Sequence, residues 1–201
     1  MKKAINTIVI IFAIAFIFKT DAKAYSGDPK EFINEIVTEA KSILSSNASQ
    51  GEKSKKLGNL ALENVDIKFL ALYTIGPYRK TISEDQLKKY HTLFEQYFLK
   101  SFTSRLTEYS DPKIEMIGTE VKNPKYTMVH SKLLGTSEKP EVKINWRVYT
   151  KNPEKLLIRD LIVEGLSLAR TQKEEFVSVI DRNDGDINKL FERLEEFIKK
   201  N

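Results

Sequence analysis

The segment 141–150 constrains the fold most, because apolar and polar residues alternate along it without interruption. The apolar positions are Val142, Ile144, Trp146 and Val148, and the intervening positions are Lys143, Asn145, Arg147 and Tyr149. A period of two is typical of a β-strand that buries one face only. Such a strand belongs to a sheet whose apolar face must be covered by another layer of structure.

Three further segments have the composition of strands, at 113–121, 126–134 and 156–164. The turns between the four strands are short and contain Asn123-Pro124, the residues 135–140, and Asn152-Pro153. Connections of this length join neighbouring antiparallel strands, whereas parallel strands need a long crossover. The sequence therefore predicts one twisted, four-stranded antiparallel sheet.

Helices are predicted before and after the four strands in the sequence. Asp28 before Pro29 is a helix start, and Ser83 with Gln86 three residues later forms a capping box. A polar segment, 45–56, interrupts the helical spacing of apolar residues. The predicted helices run from Pro29 to Leu44, over 57–63, from the cap Asp66 to Gly76, from the cap Ser83 to Tyr109, over 171–182 and over 186–199.

The fourth predicted helix carries an aromatic stripe. Bulky residues recur at steps of three and four along it, namely Leu87, Tyr90, Phe94, Tyr97, Phe98, Phe102, Leu106 and Tyr109. Packed core is the ordinary explanation, but rings that face a sheet also form the wall of an apolar cavity. We expect an α+β fold, with the helices packed on the sheet, this helix as the cover, and an apolar cavity between the two layers.

The first 24 residues have the form of a secretory signal peptide. Lys2 and Lys3 precede an unbroken apolar run at 8–18, and Ala22-Lys23-Ala24 has the small-x-small pattern of a cleavage site. The run is shorter than the ~20 residues that span a bilayer. The sequence predicts export to the periplasm, cleavage after Ala24 and a single domain over 25–201; an uncleaved anchor is the alternative.

Charge and cysteine content exclude several classes of function. The whole chain carries a net charge of +5, but residues 1–24 hold four lysines against one aspartate, so the remainder is nearly neutral. A nucleic-acid-binding protein needs a concentrated basic patch, and none is found beyond this leader. The chain has no cysteine, which excludes disulfides and thiol catalysis.

Catalytic and metal-binding patterns are also missing from the sequence. His91 and His130 have no carboxylate or nucleophile at a suggestive spacing, and there is no nucleophile elbow, zinc motif or phosphate loop. The sequence therefore predicts a binding protein without a cofactor, a metal or catalytic residues. The alternative is a small-molecule enzyme with a cone-shaped α+β pocket, in which His130 or Asp160 acts as the base.

Four segments together resemble one protein family, the MlaC or toluene-tolerance auxiliary proteins. They are the helix 65–76, the aromatic helix 87–109, the strand 144–148 and the run from Asp160 through Glu164-Gly165 to Phe176. The last of these is the most specific. The chain departs from the family pattern after Gly76, where the usual tryptophan is missing, and at Lys173, where the family usually has arginine.

The resemblance implies a carrier of phospholipid across the periplasm. Its partners are expected to be an outer-membrane lipoprotein complex and an inner-membrane ABC transporter with an MCE-domain subunit, so that outer-membrane lipid asymmetry is maintained. The carrier itself is expected to be a monomer that makes and breaks no bond. A carrier of lipoproteins or other apolar cargo is the second alternative.

Twelve residues are predicted to line the lipid pocket between sheet and helices: Leu70, Phe94, Tyr97, Phe98, Phe102, Val129, Leu133, Ile144, Trp146, Val148, Leu161 and Val163. Each also has an ordinary role as core. Trp146 is the strongest candidate, because its ring lies in the middle of the apolar face. Glu164 and Ser167 are expected to fix the turn from strand to helix, and Gly165 to supply a bulge or a positive φ.

Overall fold

The computed structural model describes residues 25–107, 111–136 and 140–200. The predicted signal peptide, residues 1–24, lies outside this part of the chain. The helices are α1 (Pro29–Ser45), α2 (Gln50–Asn64), α3 (Ile67–Thr74), a short 3₁₀ helix (Gly76–Lys80), α4 (Glu84–Leu106), α5 (Leu168–Asp181) and α6 (Asn188–Lys199). The strands are β1 (Ile114–Asn123), β2 (Tyr126–Leu133), β3 (Val142–Tyr149), β4 (Leu157–Val163) and β5 (Leu166–Ser167).

The strands form one antiparallel sheet in the order β1-β2-β3-β4-β5. The predicted α+β class and the antiparallel pairing are confirmed, but the prediction of four strands was wrong. Residues 166–167 turn back against Ile162 and Val163 as a fifth, very short strand. The reversal is tight because Glu164 and Gly165 both have a positive φ, of 49° and 83°. Two residues are too short a run to show a strand period in sequence.

Helices α2 and α5 both begin earlier in the sequence than predicted, because a capping residue fixes the start of each. In α2 the hydroxyl of Ser49 accepts from the backbone N–H of Glu52 and the Glu52 carboxylate accepts from the N–H of Ser49, so the polar segment before Leu57 is helical. Helix α5 begins at Leu168, ahead of the predicted start, because Ser167 caps it. Tyr109, the last residue of the predicted aromatic stripe, lies outside the described residues.

The described residues contain two hydrophobic cores. The first, the helical core, joins α3, α4, α5 and α6 and includes Tyr90, Phe94 and Phe176. The second, the sheet core, packs α1 and Leu60 of α2 against the sheet. Val65 contacts both cores, and its backbone forms a bridge with Ile158 of β4.

The helix that packs on the apolar face of the sheet is α1. Phe32 and Ile33 are buried in the same cluster as Val129 and Val148 of the sheet. The expectation that the aromatic helix α4 provides this cover was wrong, because its buried residues pack in the helical core. A regular stripe shows which face of α4 is buried but does not identify the partner of that face.

Candidate functional site

All seven sheet residues predicted for the pocket share one face of the sheet. The pairing register aligns Val129, Trp146 and Leu161 across β2, β3 and β4. The next row on the same face aligns Ser131, Ile144 and Val163 and ends at Leu166 of β5. Side chains two residues apart on a strand point to the same side, which adds Leu133 and Val148 to this face.

Burial changes from one end of this face to the other. Val129 and Val148 have no exposed surface beneath α1, and they belong to the sheet core. Five other residues remain only partly buried, and we refer to them as the apolar patch: Leu133, Ile144, Trp146, Leu161 and Val163. Leu166 continues the patch to the sheet edge with 56% of its surface exposed. A contiguous apolar surface left partly open is typical of a binding site.

Trp146 is held in place at the centre of this patch by a polar relay. Its indole N–H donates to the hydroxyl of Ser131, at 2.9 Å, and that hydroxyl donates to the carbonyl of Ile144, also at 2.9 Å. The relay satisfies both polar groups on a face that is otherwise apolar. Trp146 also packs against the sheet core, and the part of its ring that remains exposed is available for contact with an apolar ligand.

The helical residues predicted for the pocket lie on an aromatic ladder along α4. Successive rings of Tyr90, Phe94, Phe98 and Phe102 have centroids 5.8, 6.3 and 5.7 Å apart. The ladder begins inside the helical core, where Tyr90 and Phe94 are buried, and ends at Phe98 and Phe102, which are partly exposed. Its exposed end is the part that remains free to contact a ligand.

Leu70 and Tyr97 have different surroundings. Leu70 is buried in the helical core, to which Phe94 also belongs. The Tyr97 hydroxyl donates to Gln172 of α5 at 2.8 Å, and its ring packs on Phe176. Burial, and the charge of Glu175, raise the pKa of the Tyr97 phenol. Leu70, Phe94, Tyr97 and Phe98 thus pack in the helical core, whereas Val129, Val148 and Trp146 pack in the sheet core. A common cavity between the helical and the sheet residues stays a prediction.

The turn from β4 to α5 is organised by Asp160, which is buried. Its Oδ2 accepts from the Ser167 hydroxyl at 2.7 Å and lies 3.3 Å from Nη1 of Arg147, while its Oδ1 accepts from the backbone N–H of Ala169 at 3.0 Å. Ser167 in turn accepts from the N–H of Arg170 and so caps α5. The Glu164 carboxylate accepts from the backbone N–H of Lys143. The predicted structural roles of Glu164, Ser167 and Gly165 agree with these contacts.

Sequence reasoning missed Arg159, the extra residue of a bulge where β4 passes β3. Its guanidinium carbon lies 3.6 Å from the ring centroid of Tyr149 and 4.2 Å from that of Phe69. The guanidinium also donates to the Tyr126 hydroxyl and the Asp66 carboxylate. Burial lowers the pKa of Arg159, but these two hydrogen bonds outweigh it and raise the pKa overall. The sequence did contain a sign of this site, because Arg159 is a cation within the largely apolar strand β4.

The residues considered for catalysis have structural partners. His130 is hydrogen-bonded through Nδ1 to Asn145 at 2.9 Å, and burial lowers the pKa of His91. Asp160 already interacts with three groups. Within the described ranges, no cluster of His, Cys, Asp and Glu side chains has the arrangement of a metal site. Among these same residues, no helix is long and apolar enough to cross a membrane.

The chain is a small α+β protein whose antiparallel sheet leaves part of its apolar face open. The family model described as MlaC protein matches residues 31–196. This chain belongs to the MlaC family.

A solved structure has the same fold. It is a phospholipid-binding protein from Ralstonia solanacearum, determined in complex with a phospholipid. The two chains are 16% identical, and they superimpose with a TM-score of 0.70 over 83% of this chain and 94% of the other. No curated protein sequence gives a significant match.

Proposed function

We propose that this protein is a phospholipid-binding carrier of the periplasm, and that the apolar patch holds the acyl chains. The observation that carries the proposal is a pair of neighbouring, partly open rows on one face of the sheet, Trp146 with Leu161 and Ile144 with Val163. Burial of apolar surface is worth ~25 cal/mol per Å². Two acyl chains laid along such a patch would bind without any charged contact to the head group.

The exposed end of the aromatic ladder would supply the opposite wall. Phe98 and Phe102 stack nearly parallel, with an interplanar angle of 8°, and both remain partly exposed. In this proposal the twelve predicted pocket residues divide by role. The four buried ones, Leu70, Phe94, Val129 and Val148, form the floor and support, and the eight partly exposed ones contact the lipid.

Family membership and the fold support this proposal. The chain belongs to the MlaC family over most of its length, and the similar protein from Ralstonia solanacearum binds a phospholipid. The apolar patch, which would contact a comparable ligand in this chain, consists of apolar and unreactive side chains. We therefore propose binding and transport rather than catalysis.

The carrier would shuttle lipid between two membrane complexes. Residues 1–24 would direct export and be removed after Ala24, which leaves residues 25–201 in the periplasm. The partners would be an outer-membrane lipoprotein complex and an inner-membrane ABC transporter with an MCE-domain subunit. The protein would travel between them as a monomer and so maintain the lipid asymmetry of the outer membrane.

Mass spectrometry of bound lipid tests the proposal. Residues 25–201 are exported to the periplasm of a Gram-negative host, purified without detergent, and extracted for lipid analysis. Near-stoichiometric diacyl phospholipid is the expected result. A protein that is empty after purification and also fails to take up phospholipid from added vesicles would rule out the carrier function, and a screen for small-molecule substrates would follow.

A further inference from the structure

The opposite face of the sheet carries a second feature, a cleft of about 380 Å³. The polar residues that line it are Lys122, His130, Asn145, Arg147, Ser167 and Arg170. The register places His130, Asn145, Ile162 and Ser167 in one row across the sheet, on the side away from the apolar patch. We refer to this feature as the basic cleft.

The charged side chains that line the basic cleft, Lys122, Arg147 and Arg170, are all cations. Arg147 is bound from behind through Nη1 to the buried Asp160, and the remaining N–H groups of its guanidinium stay available, with 42% of the side chain exposed. Arg170 is exposed at the start of α5. Lys173 adds a further cation nearby, with Nζ 5.4 Å from the ring centroid of Tyr73, which also lines the cleft.

Lys122 is available to a ligand at small cost. It pairs with Glu120 at 2.7 Å, but both side chains are about half exposed. An exposed ion pair of this kind is worth ~0–1 kcal/mol, so an incoming carboxylate can replace Glu120 with little loss. The lining of the cleft thus offers several cationic donors, which is complementary to an acidic ligand. The exposed carboxylate of Glu120 lies beside it, 2.7 Å from Lys122 and 3.7 Å from Nε2 of His130, and an acidic ligand would take its place.

Apolar groups complete the lining of the cleft and indicate the kind of ligand. Met128, Ile162 and Tyr73 lie among the basic residues. A methionine in such a position adapts its shape to different side chains. The sheet itself separates the cleft from the apolar patch, so a lipid whose chains lie on the patch does not place its head group here. A cleft with cationic and apolar walls suits a short peptide with acidic and apolar side chains.

We propose that the basic cleft is a docking site for an acidic, extended segment of a partner protein that delivers or receives the cargo. This inference rests on the proposed carrier function, because a carrier must dock in order to exchange its ligand. Docking on one face of the sheet leaves the apolar patch on the other face free. Complementary charge at the cleft would speed the encounter and make it sensitive to salt.

The test uses a synthetic acetylated peptide that alternates glutamate with leucine, and follows amide shifts of the ¹⁵N-labelled protein of residues 25–201. The test variant is the double charge reversal Lys122→Glu and Arg170→Glu, both at exposed positions. The matched control is Lys55→Glu and Lys151→Glu, which makes the same change of charge at exposed positions away from the cleft. Inorganic phosphate and vesicles of anionic phospholipid are titrated in parallel.

The proposal predicts peptide-induced shifts at His130, Asn145 and Arg170, weakened by added salt. Affinity should fall about tenfold or more in the test variant and stay within about twofold in the control. Three results would overturn the proposal. The first is equal peptide binding by both variants, and the second is peptide-induced shifts outside the cleft. The third is cleft shifts that phosphate or vesicles produce and the peptide does not. Bound lipid is measured on the same samples. Absence of lipid from the wild-type protein would contradict the carrier function, whereas the peptide titration tests the docking site alone.

Discussion

Asp66 and Arg159 join the helical layer to the sheet through a single carboxylate. Nε and Nη2 of Arg159 both lie 2.8 Å from Oδ2 of Asp66, and Oδ1 of the same carboxylate accepts from the backbone N–H of Phe69 to cap α3. Both side chains are 16% exposed. The start of α3 and the bulge in β4 are therefore fixed to each other by one group.

Replacing Arg159 with alanine should destabilise the fold. Asp66 would lose its partner in a partly buried place, and the rings of Tyr149 and Phe69 would lose the cation between them. We expect the free energy of unfolding to fall by about 2–3 kcal/mol, measured by urea denaturation. Arg105→Ala, on the exposed side of α4, is the control and should change it by less than about 0.5 kcal/mol. Similar losses in the two variants would show that the contacts of Arg159 add little.

Replacing Asp160 with asparagine should loosen the turn from β4 to α5. The amide has one acceptor oxygen where the carboxylate has two, and three donors converge on it, from Ser167, Ala169 and Arg147. The expected loss is about 2 kcal/mol in the free energy of unfolding. Hydrogen exchange at Ala169 should also become faster. Asp184→Asn is the matched control, since Asp184 is exposed with a φ of 55° that asparagine tolerates. Unchanged exchange at Ala169 in Asp160→Asn would contradict the assigned role.

Replacing Gly76 with alanine should be destabilising for two reasons. Gly76 has a φ of +55°, and an added Cβ would lie 3.0 Å from Cγ2 of Val177 and 3.1 Å from Cε of Lys173. The left-handed backbone alone costs a non-glycine residue about 1–2 kcal/mol. Gly51→Ala provides the contrast, because nothing lies near its added Cβ and helix α2 should gain about 0.5–1 kcal/mol. Thermal unfolding of both variants checks the opposite signs.

Tyr25 should make stability depend on alkaline pH. Burial, together with the hydrogen bond that its hydroxyl donates to Glu39, raises the pKa of the phenol from 10.0 to about 12. A raised pKa in the folded state means that its stabilisation is complete below pH 10 and is lost as the pH rises from 10 towards 12. The difference in unfolding free energy between the wild-type protein and Tyr25→Phe should therefore shrink across this window. A difference that stays constant would contradict the shift.

Local patterns in the sequence predicted the sheet well. Alternation along the separate strands correctly placed seven residues on one face, because the period of a strand fixes which side each residue occupies. Capping residues gave the start of α4 at Ser83. The positive φ of Gly165 was also confirmed. Each of these features depends on residues that are close together along the chain.

Features that depend on distant segments were not predicted. The sequence pattern of α4 gave its buried stripe, but α1 rather than α4 covers the sheet, because a stripe carries no information about its partner. The site of Arg159 joins α3, β2, β3 and β4 and arises only after the sheet has formed around a bulge. The contrast between buried Val129 and half-buried Ile144 on one face depends likewise on where α1 lies.

Lipid occupancy of Ile144→Glu, measured by native mass spectrometry beside Lys143→Glu, tests whether the acyl chains lie on the apolar patch. The two positions are adjacent in β3 and point to opposite faces of the sheet. Ile144→Glu therefore places a carboxylate on the apolar patch, and Lys143→Glu places one on the polar face. With folding verified by circular dichroism, we expect loss of bound phospholipid in Ile144→Glu and normal occupancy in Lys143→Glu. Full occupancy of a folded Ile144→Glu protein would contradict the claim that the acyl chains lie on this patch.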